Sequence, residues 1–227
     1  MTVSHVLPQE RPWSSSMKAL LAALLLLWLA AAYALGVTEV LTTDGLQPFR
    51  PVLLTILVPL GLFLAAAGSA RFRAFVLALD IRQLTMLQHW RVIGFAFLPL
   101  TAFGVLPGLF AWPAGLGDVA IGLAAPFVVT ALARRPDFAE SRRFLAFHLL
   151  GILDFVVAAG AATLSSGAVP ALHAGPLTSA AMEVWPLSIF PTFIVPLFLM
   201  AHLAVLFQAL AGRPVSVQAP ATVAAIE

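Results

Sequence analysis

The stretch Leu109-Phe-Ala-Trp-Pro-Ala-Gly115-Leu-Gly117-Asp118-Val-Ala-Ile-Gly122-Leu-Ala-Ala-Pro-Phe-Val-Val-Thr-Ala-Leu-Ala133 decides the fold. It is long enough to cross a bilayer's hydrocarbon core as a helix, carries one charge, Asp118, and stops at Arg134-Arg135-Pro136. Arginines at the water boundary and a proline that cannot continue the helix are the expected terminators.

Five more apolar blocks of similar length lie around it. The reading is an all-α, six-helix integral membrane bundle. Helix 1 is expected over about residues 18–37, helix 2 over 51–69 and helix 3 over 85–106. Helices 4, 5 and 6 follow over 109–133, 144–164 and 187–210. Residues 71–84 alternate Phe72, Phe75, Val76 and Leu79 with Arg71, Arg73, Asp80 and Arg82, and read as a short interfacial helix before helix 3. Residues 1–16 and 213–227 read as disordered flanks of a 17–212 transmembrane domain, and either Met1 or Met17 could start the chain. Met17-Lys18 ahead of an apolar run also resembles a signal peptide, but the block runs on to Val37 and reads as a span.

Charge placement orients the bundle. Of 12 basic residues, ten (Arg11, Lys18, Arg71, Arg73, Arg82, Arg134, Arg135, Arg142, Arg143 and Arg213) fall at the termini or in the second and fourth gaps. Only Arg50 falls in the opposite gaps, and Arg91 lies inside a block. The positive-inside rule then puts both termini in the cytoplasm of a bacterial-type inner (plasma) membrane.

Composition excludes several classes. The chain is 61% hydrophobic and 10% charged with mean hydropathy +1.01, against about 25% charged residues in soluble domains. The bilayer is therefore its principal partner. No basic patch with interleaved aromatics points to nucleic acid. Cysteine is absent, which removes disulfides, iron–sulfur clusters and thiolate chemistry. No HExxH or comparable spacing points to a metal. No feature requires a partner protein.

Charged residues within spans are costly and mark function. Arg91, Asp118, Asp154 and His202 fall roughly 10 to 18 Å from the arginine-bearing boundary at 1.5 Å rise per residue, with His89 and His148 shallower. Asp118 shares a helical face with Gly115, Gly122 and Ala125, and Asp154 with Gly151, Ala158 and Ala161. Small residues at that spacing let backbones approach, so both acids are expected to face neighbouring helices. Arg91 shares an α-helical face with Gly94, Phe95 and Leu98, while His89 points away. One arginine does not balance two acids. The surplus calls for a proton, a histidine, a ligand or an ion.

The leading expectation is a buried polar site between helices 3, 4, 5 and 6 for small-solute or proton-linked transport. Asp118 and Asp154 would be proton or cation sites, Arg91 the counter-charge and His202 an inner relay. A second expectation is a b-type haem electron-transfer protein, with His89, His148 and His202 as candidate ligands of haem b. A third is a structural or accessory subunit in which Arg91 and an acid pin helices together. Finally, Gly115-Leu116-Gly117-Asp118 resembles the GxGD motif of the presenilin and prepilin-peptidase families, over four residues. That resemblance implies an intramembrane aspartyl protease with Asp118 catalytic. In those families the partner aspartate precedes the motif, whereas Asp154 follows it and Asp80 is expected at the surface.

Overall fold

The computed structural model describes residues 14–43, 51–167 and 177–211, and every regular element among them is helical. The His173 loop and both outermost flanks lie outside the described residues.

Helix α1 spans Ser15–Val37, and Ser14 caps it by accepting from the Met17 amide at 3.2 Å. It therefore starts before the predicted boundary, because a serine side chain satisfies a first-turn N–H. After a short 3₁₀ turn, α2 covers Leu54–Ala66. A bend of 105° leads into α3, Ala70–Leu77. This is the amphipathic segment, but it ends earlier than expected. Asp80 accepts from the amides of Arg82 and Gln83 at 2.8 and 3.3 Å, which starts α4 at Ile81 (Ile81–Leu87) instead of near residue 85. The chain continues as a 3₁₀ segment, Gln88–Ala96, and α5, Phe97–Ala102. Gly104, at φ +70°, turns it into α6, Gly108–Arg134. Helix α7 is Arg142–Leu164, capped by Ser141. A π-helical turn, Phe190–Ile194, runs into α8, Val195–Leu210.

Four of these are long and apolar enough to cross a membrane: α1 (23 residues), α6 (27), α7 (23) and the joined Phe190–Leu210 run (21). At 1.5 Å per residue the shortest reaches about 31 Å, a match to the bilayer core. Their outer faces are greasy. Leu26, Leu27, Phe127 and Val156 are all exposed, a surface that suits lipid and not water.

Prolines explain how the bundle is tied. Pro196 has no N–H to give the Thr192 carbonyl one turn back, and Trp28 Nε1 of α1 donates to that carbonyl at 3.0 Å. In the π turn the Val195 amide reaches back to Phe190. The Pro191 carbonyl is left over, and Thr55 Oγ1 of α2 donates to it at 3.1 Å. Both carbonyls freed in helix 6 thus become anchor points for the two N-terminal helices.

The 3₁₀ segment matters most. Buried positions run Thr85, Gln88, Arg91, Gly94, Phe97, each three residues after the last. At 3.0 residues per turn such positions stack in one line, whereas an α-helix would carry them steadily round its axis. The predicted α-helical face of Arg91 is corrected accordingly: Gly94 shares it, but Phe95 is 60% exposed.

Candidate functional site

Glycines bring α6 against the 3₁₀ segment. A Cβ on Gly122 would lie 2.7 Å from the Val92 amide nitrogen, and one on Gly115 would lie 3.1 Å from the Gly94 carbonyl. With backbones this close, His89 Nδ1 donates to the Gly122 carbonyl at 2.9 Å. His89 therefore spends its donor on helix packing and stays away from Arg91, as its position two residues earlier predicts.

Arg91 is completely enclosed, with side-chain exposure of 0%. Its Nε donates to Asp118 Oδ1 at 2.8 Å and its Nη2 to Asp154 Oδ2. Its Nη1 donates to the Gly151 carbonyl at 3.1 Å and to His202 Nε2 at 3.2 Å. The guanidinium carbon sits 3.9 Å from the centroid of Phe155, a cation–π contact in a desolvated setting. The structure thus joins Arg91, Asp118, Asp154 and His202 at one point, using α6, α7, α8 and the 3₁₀ segment.

Glycines also make room for the cluster. A Cβ on Gly94 would meet Asp118 at 2.5 Å, one on Gly117 would run into Asp154 Oδ1, and one on Gly151 into the His202 ring.

Donor logic extends inward from Arg91. Arginine only donates, so His202 Nε2 accepts and, in the neutral ring, Nδ1 carries the hydrogen. His202 Nδ1 lies 2.8 Å from His148 Nδ1 and donates to it. His148 then bears its hydrogen on Nε2, 3.5 Å from Thr85 Oγ1, and Thr85 donates to the Ile81 carbonyl at 2.7 Å. One set of tautomers, assigned from the network, satisfies every link from Arg91 to Ile81.

On the other side of the cluster lies a cavity of about 90 Å³, room for several waters or a small organic ligand. Asp118 is at one end, with Phe97, Phe110 and Phe190 along the wall and Thr163, Ser179 and Glu183 toward the far end. Glu183 is only 3% exposed and accepts from the Thr43 amide at 3.3 Å. Its sequence context, a loop rich in Ser, Gly and Pro, reads as solvated. Burial of this carboxylate was not legible there, because it depends on how the 3₁₀ turn Ser179–Glu183 folds back over the bundle.

Two expected chemistries do not fit this geometry. A bis-histidine haem needs two ring nitrogens facing each other across an iron, with space for the macrocycle. His148 and His202 instead hydrogen-bond directly, ringed by Phe144, Phe147 and Phe155, and His89 is committed to Gly122. An aspartyl protease needs two carboxylates that share a water. Here each carboxylate faces a different edge of one guanidinium. Among the described residues no three His, Asp or Glu side chains converge as a metal would require.

Fold and site together define an all-α membrane protein with a charged cluster enclosed by its helices. Residues 48–210 match the family model described as a domain of unknown function, DUF8737, and the chain belongs to that family. No curated protein and no solved structure matches it.

Proposed function

We propose that this protein couples proton movement to passage of a small solute across an inner membrane. It would do so as a six-span bundle with both termini cytoplasmic. The fifth and sixth spans would be Pro51–Ala66, with α3 turned through 105° to lie along the interface, and the Ile81–Ala102 run of α4, the 3₁₀ segment and α5. Lys18 and the arginines at 71, 73, 82, 134, 135, 142 and 143 gather at one end of the helices, which supports the orientation.

The observation that carries the reading is the charge balance of the enclosed cluster. Arg91 faces two carboxylates, so with both ionised the trio bears net charge −1, which is costly inside a membrane. One mobile cation neutralises it. Its two flanks differ: a cavity reaches Asp118 from one side, and the His202–His148–Thr85 chain leaves Arg91 on the other. Arginine does not give up its proton. The guanidinium is therefore a gate: a proton crosses between carboxylates and histidines only when Arg91 releases one acid. Protonation of either acid loosens its hold on Arg91 and gives a basal proton flux, which a solute that neutralises Asp118 from the cavity would raise.

Engagement of all three guanidinium nitrogens, through four hydrogen bonds, favours a second reading, a static clasp holding four helical segments. One experiment separates the two. The purified protein is reconstituted in vesicles containing a pH-sensitive dye, and a pH gradient is imposed under a potassium–valinomycin clamp. The proposal expects proton flux above that of empty vesicles, at least tenfold lower in both Asp118→Asn and Asp154→Asn. Wild-type flux equal to that of empty vesicles, with the variants folded, supports the clasp.

A further inference from the structure

We infer that the cavity beside Asp118 binds a small organic cation of the alkylammonium class; this rests on the transport reading above and names its solute.

The cavity offers acceptors and no free side-chain donor among the described lining residues. Among the described residues its ionisable members are Asp118 and Glu183, and no described Lys, Arg or His side chain lines its wall. Arg91 does not line the cavity and directs its nitrogens to Asp118, Asp154, Gly151 and His202. The remaining side-chain donors are three hydroxyls, and each hydrogen is already committed to the backbone. Thr163 donates to the Ala159 carbonyl at 2.8 Å, Ser166 to Thr163 at 2.7 Å, and Ser179 to Ala162 at 2.6 Å. An anionic or acceptor-rich solute would thus lose its water hydrogen bonds and gain none.

A cation meets the opposite situation. Asp118 supplies a carboxylate whose cluster has a surplus negative charge. The packed rings of Phe97, Phe110 and Phe190, with centroids 4.7 to 5.5 Å apart, present an aromatic wall that attracts ammonium groups. Ala114, Ala158 and Ala162 keep the remaining wall apolar, which suits an alkyl portion. Small residues there set the size: a longer side chain would fill the space.

The test uses the purified full chain in detergent with n-butylammonium, tetramethylammonium, butyrate and n-butanol as matched probes, followed by titration calorimetry and thermal unfolding. Saturable binding of both ammonium probes, at least tenfold tighter than of butyrate or butanol, is expected. Asp118→Asn should weaken ammonium binding at least tenfold. Ala162→Leu keeps every charge, fills the cavity and should do the same, so a fold defect in the aspartate variant does not decide the matter. Equal binding of butanol or butyrate, or undiminished ammonium binding in folded Ala162→Leu, overturns the inference. Vesicle proton flux that is sensitive to Asp118→Asn without any ammonium binding leaves the transport reading standing and removes only this one. Absence of both removes both.

Discussion

Replacing Arg91 with methionine keeps most of the side-chain volume and removes the charge on which the cluster turns. In the wild type the guanidinium serves Asp118, Asp154, the Gly151 carbonyl and His202. The two acids have side-chain exposures of only 14% and 12%, so solvent replaces little of what they lose. Removing one partner of a buried ion pair costs about 3–5 kcal/mol. If only neutral interhelical hydrogen bonds were at stake, the loss would be nearer about 0.6 kcal/mol for each. Four such bonds would sum to about 2.4 kcal/mol, so recovery in a variant stripped of the whole charge set is what tells uncompensated charge from lost hydrogen bonding. Arg91→Met should lower unfolding free energy by about 3–5 kcal/mol, read by equilibrium unfolding in mixed micelles. The triple variant Arg91→Met, Asp118→Asn, Asp154→Asn should regain most of that loss, since replacing a whole buried charge set is often neutral. A single variant within about 1 kcal/mol of wild type, the range of exposed pairs, would mean that no uncompensated charge is left in the bundle. So would a triple variant no more stable than the single one.

Three further outcomes follow from the packing. On α7, Gly151→Ala drives a methyl into the His202 ring while Gly160 has nothing within 4 Å; the first should lose about 1–3 kcal/mol by overpacking and the second should be neutral or slightly stabilising in the same unfolding assay. Trp28→Phe should cost about 1 kcal/mol through the orphaned Thr192 carbonyl, and Pro196→Ala, which restores a backbone donor, should reduce that cost in a double-mutant cycle. His202→Phe should cost about 1–3 kcal/mol because Arg91 and His148 each lose a partner, and adding His148→Phe should cost less than the sum of the two singles, the signature of a shared network.

Helix existence was legible because a bilayer demands long apolar runs, and α1, α6 and α7 match their predicted spans within about three residues. The inward faces of Asp118 and Asp154 were legible too, since Gly115, Gly122, Ala125, Gly151 and Ala161 share them and are buried. The winding of residues 88–96 was not. The i, i+3 row from Thr85 through Gln88 to Phe97 is present in the sequence, but an assumed α-helix hides it by rotating each step. The roles of Thr85 and His148 depend on that row and on where α7 and α8 cross it. Trp28 carries no visible chemistry as a sequence position, and its purpose emerges only with the carbonyl that Pro196 frees. Glu183 was hidden for the reason common to loops: local composition does not report which backbone folds over which cavity.

In the transport reading the Arg91–Asp118–Asp154 cluster holds one exchangeable proton or cation. Infrared difference spectroscopy of the purified protein, with and without a saturating cation at neutral pH, tests it most directly. One protonated-carboxyl band is expected, which disappears on cation binding and is missing from both Asp118→Asn and Asp154→Asn. A spectrum with no such band, unchanged in both variants, would contradict it and leave the cluster as a static clasp.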